Sequence, residues 1–268
     1  MRINTNLNAM LATNQMSRNT ALSGKSMEKL STGLRITKAG DDAAGLAVSE
    51  KMRAQIRGME QADRNVQDGI SMVQTAEGAL QEAGNIAQRM RELGIQAGND
   101  TLASTDRDKI KTELTQLQEE MSKIGEEVKF NGKNLLSGTT SFTIQAGANQ
   151  EVRKIATIDL VKEAKTLSKI DVTDASKAQA YVTEVDKALE TINTGRATLG
   201  AAQNRLECTS SNLTTSTENL SAAESRIRDV DVAKEMVKLS KLNILTQASQ
   251  AMVAQAKQQP ESITQLLR

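Results

Sequence analysis

Large aliphatic residues recur every seven positions along residues 185–227, and this repeat predicts the longest helix of the chain. No proline or pair of glycines interrupts the repeat, which consists of Val185, Ile192, Leu199, Leu206, Leu213, Leu220 and Ile227. An apolar stripe of period seven is typical of a long helix that packs against other helices. The positions four residues further on, which should complete the stripe, are Leu189, Arg196, Gln203, Ser210 and Thr217. Since most of these are polar, the stripe is narrow, and we expect its partners to be long helices rather than a sheet.

Two further helices are predicted upstream. The first runs from about Asp42 to Ala97 on a seven-residue repeat formed by Met52, Met59, Val66, Val73 and Leu80. Gly98-Asn99-Asp100 then ends it. The second carries apolar residues in steps of four and three at Ile110, Leu114, Leu117, Met121, Ile124 and Val128. The short connection between these helices predicts that they are antiparallel.

The pattern changes from helical to alternating after Phe130. Asn131-Gly132 and Ser137-Gly138 are turn pairs. Apolar and polar residues then alternate on both sides of a turn at Gly147-Ala148-Asn149, which predicts a β-hairpin near residues 141–160. We expect residues 161–175 to be a charged connection, and the long helix to begin near Asp174.

Both ends of the chain predict weak helices. The N-terminal stripe consists of Leu7, Met10, Leu11, Leu22, Met27, Leu30 and Leu34. The C-terminal stripe continues past Ile227 through Val230, Val237, Ile244, Leu245, Ala248 and Met252, and an apolar tip follows at Ile263, Leu266 and Leu267. Pro260 is expected to limit the last helix. Isolated helices of this kind are marginal in water and need a partner.

The predicted fold is mainly α. It is a long antiparallel helical-bundle or coiled-coil rod with a small β-hairpin, and the paired terminal helices form a coiled-coil domain. The predicted boundaries give residues 1–44 and 226–268 to that domain and residues 45–225 to the rod. Residues near positions 42 and 226 should then lie close together. Asp41 or Asp42 is expected to cap the helix that follows.

Composition and charge remove several classes of function. The chain has no His, no Trp and one Cys, so zinc sites and catalytic triads of the usual kinds are excluded. An enzyme is therefore the weakest interpretation, and no cofactor is expected. Residues 1–40 carry six Lys or Arg against one Glu, but aromatic residues for base stacking are missing, so nucleic-acid binding is not expected. No apolar run is long enough for a membrane span, and no cleavable secretory signal is visible.

Many short motifs of this chain resemble those of bacterial flagellins. They are Ile3-Asn-Thr-Asn6, Leu30-Ser-Thr-Gly-Leu-Arg-Ile36, Asp41-Asp-Ala-Ala-Gly45, Gln88-Arg-Met-Arg-Glu-Leu93, Phe130-Asn-Gly132, Phe142-Thr-Ile-Gln-Ala-Gly147, Ser225-Arg-Ile-Arg-Asp229 and Leu266-Leu-Arg268. The resemblance covers nearly the whole chain and is to a short flagellin that lacks the variable outer domains.

The resemblance implies a structural subunit that self-assembles into the flagellar filament for motility. It implies secretion through the flagellar type III apparatus, and as partners further copies of the chain, the filament cap and the hook-junction proteins. An export chaperone is expected to bind the C-terminal stripe formed by Val237, Ile244, Leu245, Met252, Ile263, Leu266 and Leu267. By motif match, Arg89, Leu93 and Glu113 are expected to contact neighbouring subunits and the host flagellin-sensing Toll-like receptor. In this interpretation Leu93 is exposed beside Arg89.

Two other functions stay open at the level of sequence. A hook–filament junction protein shares the terminal pattern, although its inner motifs should diverge from residues 88–93 and 142–147. A cytoplasmic coiled-coil scaffold also has long heptad repeats, but it would not need the hairpin or the basic ends.

Overall fold

The computed structural model describes residues 6–138 and 141–266, and side chains as far as Gln258. The helices in these ranges are α1 Leu7–Thr32, α2 Ala43–Ala97, α3 Ser104–Glu127, α4 Leu160–Thr166, α5 Ala175–Arg228 and α6 Val232–Leu266. The strands are β1 Lys129–Phe130, β2 Lys133–Asn134, β3 Ser141–Gln145 and β4 Val152–Ala156. This confirms the mainly α fold.

The chain divides into two compact units. The first, which we call the terminal unit, contains residues 1–54 and 219–268, and the second, the central unit, contains residues 55–218. Both α2 and α5 contribute residues to each unit. The sequence placed the corresponding boundaries at positions 44/45 and 225/226.

The core of the central unit lies along α2 and α5, which are antiparallel. Ser210 near the end of α5 donates a hydrogen bond to Asp63 near the start of the central unit's part of α2, at 2.5 Å. Arg91 near the other end of α2 donates to Asp186 at 2.6 Å. The predicted seven-residue repeat of α5 is buried here at Val185, Ile192, Leu199, Leu206 and Leu213.

The second line of this α5 seam differs from the expectation. It lies three residues after the repeat rather than four, and small residues form it: Ala188 and Gly195 are buried, and Ala202 packs against the core. Small side chains let neighbouring elements approach closely. At Gly195 an added Cβ would lie 2.9 Å from Cδ1 of Ile158, the residue that precedes the cap of α4.

Helix α3 runs antiparallel to α2, as predicted from the short connection. Arg107 in the first turns of α3 donates a hydrogen bond to the carbonyl of Ala97, the last residue of α2, at 3.1 Å. Further along α3, Glu113 accepts one from Arg89, which lies further back along α2, at 3.0 Å.

Two predictions for the chain after Phe130 can be compared with the structure, the β-hairpin near residues 141–160 and the turn at Asn131-Gly132. The predicted hairpin is confirmed as β3 and β4, which pair antiparallel from Ser141 opposite Ala156 to Gln145 opposite Val152. Strands β1 and β2, which were not predicted, form a smaller hairpin around Asn131-Gly132. Both turn residues have positive φ, 48° and 77°, which is the backbone that Asn-Gly favours in two-residue hairpins.

The predicted charged connection over residues 161–175 contains a helix that was not predicted, α4 at Leu160–Thr166. Asp159 caps this helix by accepting the N–H of Lys162 at 3.0 Å. The buried residues Leu160, Val161 and Ala164 attach it to the core. The spacing of these apolar residues is helical. Because Lys and Glu residues lie between them, the stretch has a charged composition and its helix was not predicted.

The terminal unit joins the ends of the chain through its backbone. Leu34 and Asp229 form an isolated antiparallel bridge. The N–H of Val230 donates to the carbonyl of Gly33 at 3.0 Å. Arg228 also donates from Nη1 to Glu50 at 2.6 Å, so the start of α2 and the end of α5 lie together as expected.

Two Asp residues cap helices of the terminal unit. Asp42 accepts the N–H of Gly45 at 2.9 Å and caps α2, which confirms the predicted cap. The helical pattern predicted to continue past Ile227 is interrupted after Arg228, and Asp231 caps α6 by accepting the N–H of Lys234 at 3.1 Å. The expectation that Pro260 limits this helix is wrong, since α6 extends to Leu266. A proline removes one backbone donor and does not by itself end a helix.

Candidate functional site

Most of the large apolar side chains of α1 are exposed, whereas Met16 and Leu30 are half-buried. Leu7, Met10, Leu11, Leu22 and Met27 are 52, 59, 68, 45 and 58% exposed. The buried or half-buried positions over residues 9–26 recur in steps of three and four, and they are Ala9, Ala12, Met16, Asn19, Ser23 and Ser26. This spacing is that of a coiled-coil seam. The seam is therefore made mostly of small and polar residues, while the apolar stripe found in the sequence lies outside it.

Helix α6 has a related arrangement, although its seam also holds the larger apolar residues Leu239, Leu242 and Val253. Over residues 235–256 its buried or half-buried positions are Glu235, Leu239, Leu242, Thr246, Ser249, Val253 and Ala256. Its exposed large apolar residues are Val232, Met236, Val237, Ile244, Leu245 and Met252. Of the predicted C-terminal stripe, Val237, Ile244, Leu245 and Met252 are thus all exposed. The side chains of Ile263, Leu266 and Leu267 lie outside the described residues.

Polar contacts fix the two helices in an antiparallel pair. Asn6 donates from Nδ2 to the carbonyl of Ala256 at 2.6 Å. Seventeen positions further along α1, Ser23 donates to Oδ1 of Asn243 at 3.1 Å. Asn6 also accepts the N–H of Ala9 at 3.0 Å, so a single side chain caps α1 and holds it against α6.

A groove of about 680 Å³ runs between the two helices near this end of the pair. Leu11, Gln15, Leu245 and Met252 are among the residues that line it. Three of these four are exposed large apolar residues. The groove brings Leu11 of α1 near Leu245 and Met252 of α6. We call the exposed large apolar residues of the two helices the outer face of the α1–α6 pair.

The outer face has the chemistry of a protein interface. Scattered exposed apolar residues are ordinary, but here most of the exposed large apolar residues of the described chain lie on α1 and α6. Such a concentration marks a surface that another protein covers. The part of the chain that the structure describes holds no group of three or more His, Cys, Asp or Glu placed to bind a metal ion. None of its helices is long and apolar enough to cross a membrane.

The second predicted site is on α2 and α3 of the central unit. Arg89 donates from Nη2 to Oε1 of Glu113 at 3.0 Å and from Nη1 to Oε2 of Glu92 at 3.2 Å. These hydrogen bonds, that to Glu113 above all, raise the pKa of the Arg89 guanidinium. Both partners are about half exposed, at 52% for Arg89 and 46% for Glu113. An exposed, oriented guanidinium is available to a partner protein.

Leu93 does not share this exposure, and the expectation of an exposed leucine beside Arg89 is wrong. Its side chain is 2% exposed and belongs to the core of the central unit. Leu93 lies four residues after Arg89 but close to the buried line of α2 formed by Met90 and Ala97. The motif identified a neighbour of the charged pair without showing which way it points.

Family models match this chain over most of its length. The model described as the bacterial flagellin N-terminal helical region matches residues 3–141. That described as the bacterial flagellin C-terminal helical region matches residues 182–267. The chain belongs to the bacterial flagellin family.

Relatives agree with this assignment over full length. The chain is 52% identical to a flagellin of Halalkalibacterium halodurans, with 100% of each chain covered. It is 45% identical, again with 100% of each chain covered, to the flagellar filament 33 kDa core protein of Treponema phagedenis.

Solved structures show the same fold. A crystal structure of Bacillus cereus flagellin is 33% identical, with a TM-score of 0.52 over 60% of this chain and 94% of that one. A putative flagellar hook-associated protein from Vibrio parahaemolyticus has a TM-score of 0.61 over 70% of this chain and 100% of that one, but at 12% identity it shows a shared fold alone.

Family membership settles the coarse function. Flagellins are structural proteins that self-assemble into the extracellular flagellar filament, so this chain is a filament subunit and not an enzyme. An outer face that one copy leaves uncovered is what a polymerising subunit requires.

Proposed function

We propose that the outer face of the α1–α6 pair is the surface through which copies of this flagellin assemble. The observation that carries the proposal is the inverted placement of apolar residues in this pair. In an ordinary pair of helices the larger apolar side chains fill the shared seam. Here Asn19 and Ser26 are buried in the seam, whereas Leu11 and Ile244 are exposed at 68% and 63%. Leu239, Leu242 and Val253 give the seam some apolar burial, but most of the large apolar residues of the pair would be buried only when neighbouring copies cover the outer face.

Seeded polymerisation tests this proposal at single positions. Ile244→Asn places a polar group where a neighbour is expected to bury it, and this costs filament growth at least about tenfold in rate at fixed subunit concentration. Ile244→Leu keeps the apolar volume at the same position and serves as the matched control. Normal growth of the asparagine variant on seeds, observed by electron microscopy, would contradict the proposal.

The same face would also suit binding by a chaperone before export. We infer that a flagellar export chaperone binds the stripe of Val237, Ile244, Leu245 and Met252, which resembles the apolar face of a helix that docks in a groove. The stretch from Ile263 to Leu267 would extend this contact. A chain ending at Asp229 should lose chaperone binding and filament growth together, as measured by calorimetry and by seeded growth. Retained chaperone binding by this truncated chain would contradict the inference that the chaperone binds the C-terminal stripe.

We further propose that the subunit leaves the cell through the flagellar type III apparatus and adds beneath the filament cap beyond the hook-junction proteins. Marginal terminal helices suit transport of an unfolded chain that orders on assembly. In cells that lack a working flagellar export apparatus, the chain should accumulate inside and be missing from the medium. Its appearance in the medium of such cells would contradict this route.

The exposed ion pair on α2 and α3 supports a second role, as a ligand of the host flagellin-sensing Toll-like receptor. Arg89 and Glu113 would contact the receptor, and Leu93 would act only by holding α2 in the core. Arg89→Ala should weaken binding of the monomer to the receptor ectodomain. Arg91→Ala is the matched control, since Arg91 is similarly exposed but pairs with Asp186 of α5. Equal affinities of the two variants would reject this role.

A further inference from the structure

Among the described methionines of this flagellin, the buried ones lie in the central unit and the exposed ones in the terminal unit, while Met16, Met52 and Met59 are half-buried. In the central unit Met72, Met90 and Met121 are at most 8% exposed. In the terminal unit Met10, Met27, Met236 and Met252 are 59, 58, 58 and 63% exposed. All four of these lie on α1 or α6, and we call them the outer methionines.

The outer methionines are part of the outer face rather than of the helix seam. Met10 neighbours the exposed Leu11, and Met236 neighbours the exposed Val237. Met252 lines the groove between the helices. The seam positions of α1 and α6 include just one methionine, Met16, over residues 9–26 and 235–256. A chemical change at the outer methionines therefore alters the outer face and leaves the contacts inside the pair intact.

We propose that the outer methionines are an oxidation site at which hydrogen peroxide blocks assembly. A lone pair of the thioether sulfur attacks one peroxide oxygen, the O–O bond breaks, an S–O bond forms and water leaves. The sulfur is oxidised by two electrons and the peroxide is reduced by two. Methionine sulfoxide reductases, which draw two electrons from a dithiol, reverse the change. This inference rests on the proposed assembly through the outer face.

The effect on assembly follows from what a sulfoxide is. It replaces a soft apolar group with a strongly polar one at four places in each subunit, and polar groups without partners resist burial. Neighbouring copies would have to bury these groups, so oxidised subunits should not add to a filament. Once the face is covered, the same sulfurs should be protected, so monomer oxidises faster than filament.

The experiment treats full-length monomer with hydrogen peroxide until peptide mass spectrometry finds sulfoxide at the four outer positions. Seeded growth, helix content by circular dichroism and the unfolding midpoint are then measured. The treated protein should keep its helix content and midpoint but lose at least tenfold in seeded growth rate. Reduction by methionine sulfoxide reductases should restore growth.

Leucine variants assign the effect to particular sulfurs. The variant M10L/M27L/M236L/M252L keeps apolar side chains of similar volume. Compared with its own rate before treatment, its growth should not fall after peroxide. The variant M72L/M90L/M121L changes core methionines instead and should remain as sensitive as the unchanged protein.

Each result is decisive. Normal growth of fully oxidised protein, or undiminished peroxide sensitivity of the outer variant, overturns the oxidation site while leaving assembly through the outer face standing. Failure of untreated protein with an intact fold to grow on seeds overturns the proposed assembly, and the oxidation site with it.

Discussion

Asn6 donates a hydrogen bond from its side-chain nitrogen to the carbonyl of Ala256 across a separation of 250 residues, at 2.6 Å. Its side-chain oxygen meanwhile accepts the N–H of Ala9. One asparagine thus begins α1 and ties it to α6. Where a helix pair buries few large apolar groups, such polar contacts carry a larger share of its stability.

Asn6→Ala should therefore open this end of the pair. Loss of the cap alone costs about 1 kcal/mol, and loss of the bond to Ala256 leaves a carbonyl without this donor. Faster hydrogen exchange in the first turns of α1 and in α6 near Ala256 is the expected result. Asn8→Ala, an exposed neighbour on the same turn, is the control and should leave exchange unchanged. Equal exchange in both variants would contradict the role of Asn6.

Two glycines of α5 should respond in opposite directions to alanine. Gly200 has nothing within 4 Å of an added Cβ. Gly200→Ala should thus stabilise the chain by about 0.5–1 kcal/mol, the ordinary preference of a helix for alanine. At Gly195 the added Cβ would meet Ile158, and overpacking should cancel that gain and lower stability by about 1 kcal/mol. Denaturant unfolding of the two variants measures the difference in their free energies of unfolding. If both substitutions were stabilising, the Ile158 side chain would have moved to make room for the added Cβ, contrary to this prediction.

Alanine variants of Leu93 and Arg89 should differ in their effect on stability, because Leu93 is buried in the core and Arg89 is exposed. Leu93→Ala removes a buried side chain and should lower the free energy of unfolding by about 2–5 kcal/mol. Arg89→Ala removes an exposed ion pair and should leave the unfolding midpoint nearly unchanged. Thermal unfolding followed by circular dichroism distinguishes them. A Leu93→Ala variant as stable as the unchanged protein would argue against its place in the core.

Asp231 should make the start of α6 sensitive to acid. The backbone N–H of Lys234, followed by the side chain of the same residue, lowers the pKa of Asp231 from its ordinary 3.8. A pKa that is lower in the folded chain means that the cap contributes its full stability above pH ~4 and loses it as pH falls through the lowered value. Amide exchange at Lys234 should rise over this range.

Asp231→Asn keeps an oxygen that can cap the helix but cannot titrate in this range. Amide exchange at Lys234 in this variant should therefore show no step at acid pH beyond the ordinary pH dependence of exchange. An identical acid step in both proteins would assign the titration to another group.

The sequence was a good guide wherever large apolar residues repeat. The interval between Asp42 and Gly98 predicted α2 almost to the residue, since the cap, the repeat and the stop agree. It was a poor guide where small residues do the packing. Ala188 and Gly195 are two of the buried residues of α5, yet a search for large aliphatic side chains passes over them. Helix α4 was missed for a similar reason, because charged residues separate its buried ones.

The sequence predicted which residues of α1 and α6 form the site, but not whether their side chains lie in the seam or on the exposed side of the pair. The stripes of α1 and α6 were visible, and the structure shows them on the outer face rather than in the seam. Sequence periodicity reports that Leu7 and Leu11 share a face, but which partner covers that face depends on all the elements around it. Leu93 shows the converse, because an apolar residue within a charged motif can belong to the core.

An electron cryo-microscopy map of filaments grown from this chain tests the central claim most directly. The account predicts that the side chains of Leu11, Val237, Ile244 and Met252 contact neighbouring subunits and lose most of their exposed area. Filaments in which these side chains remain exposed to solvent would contradict it.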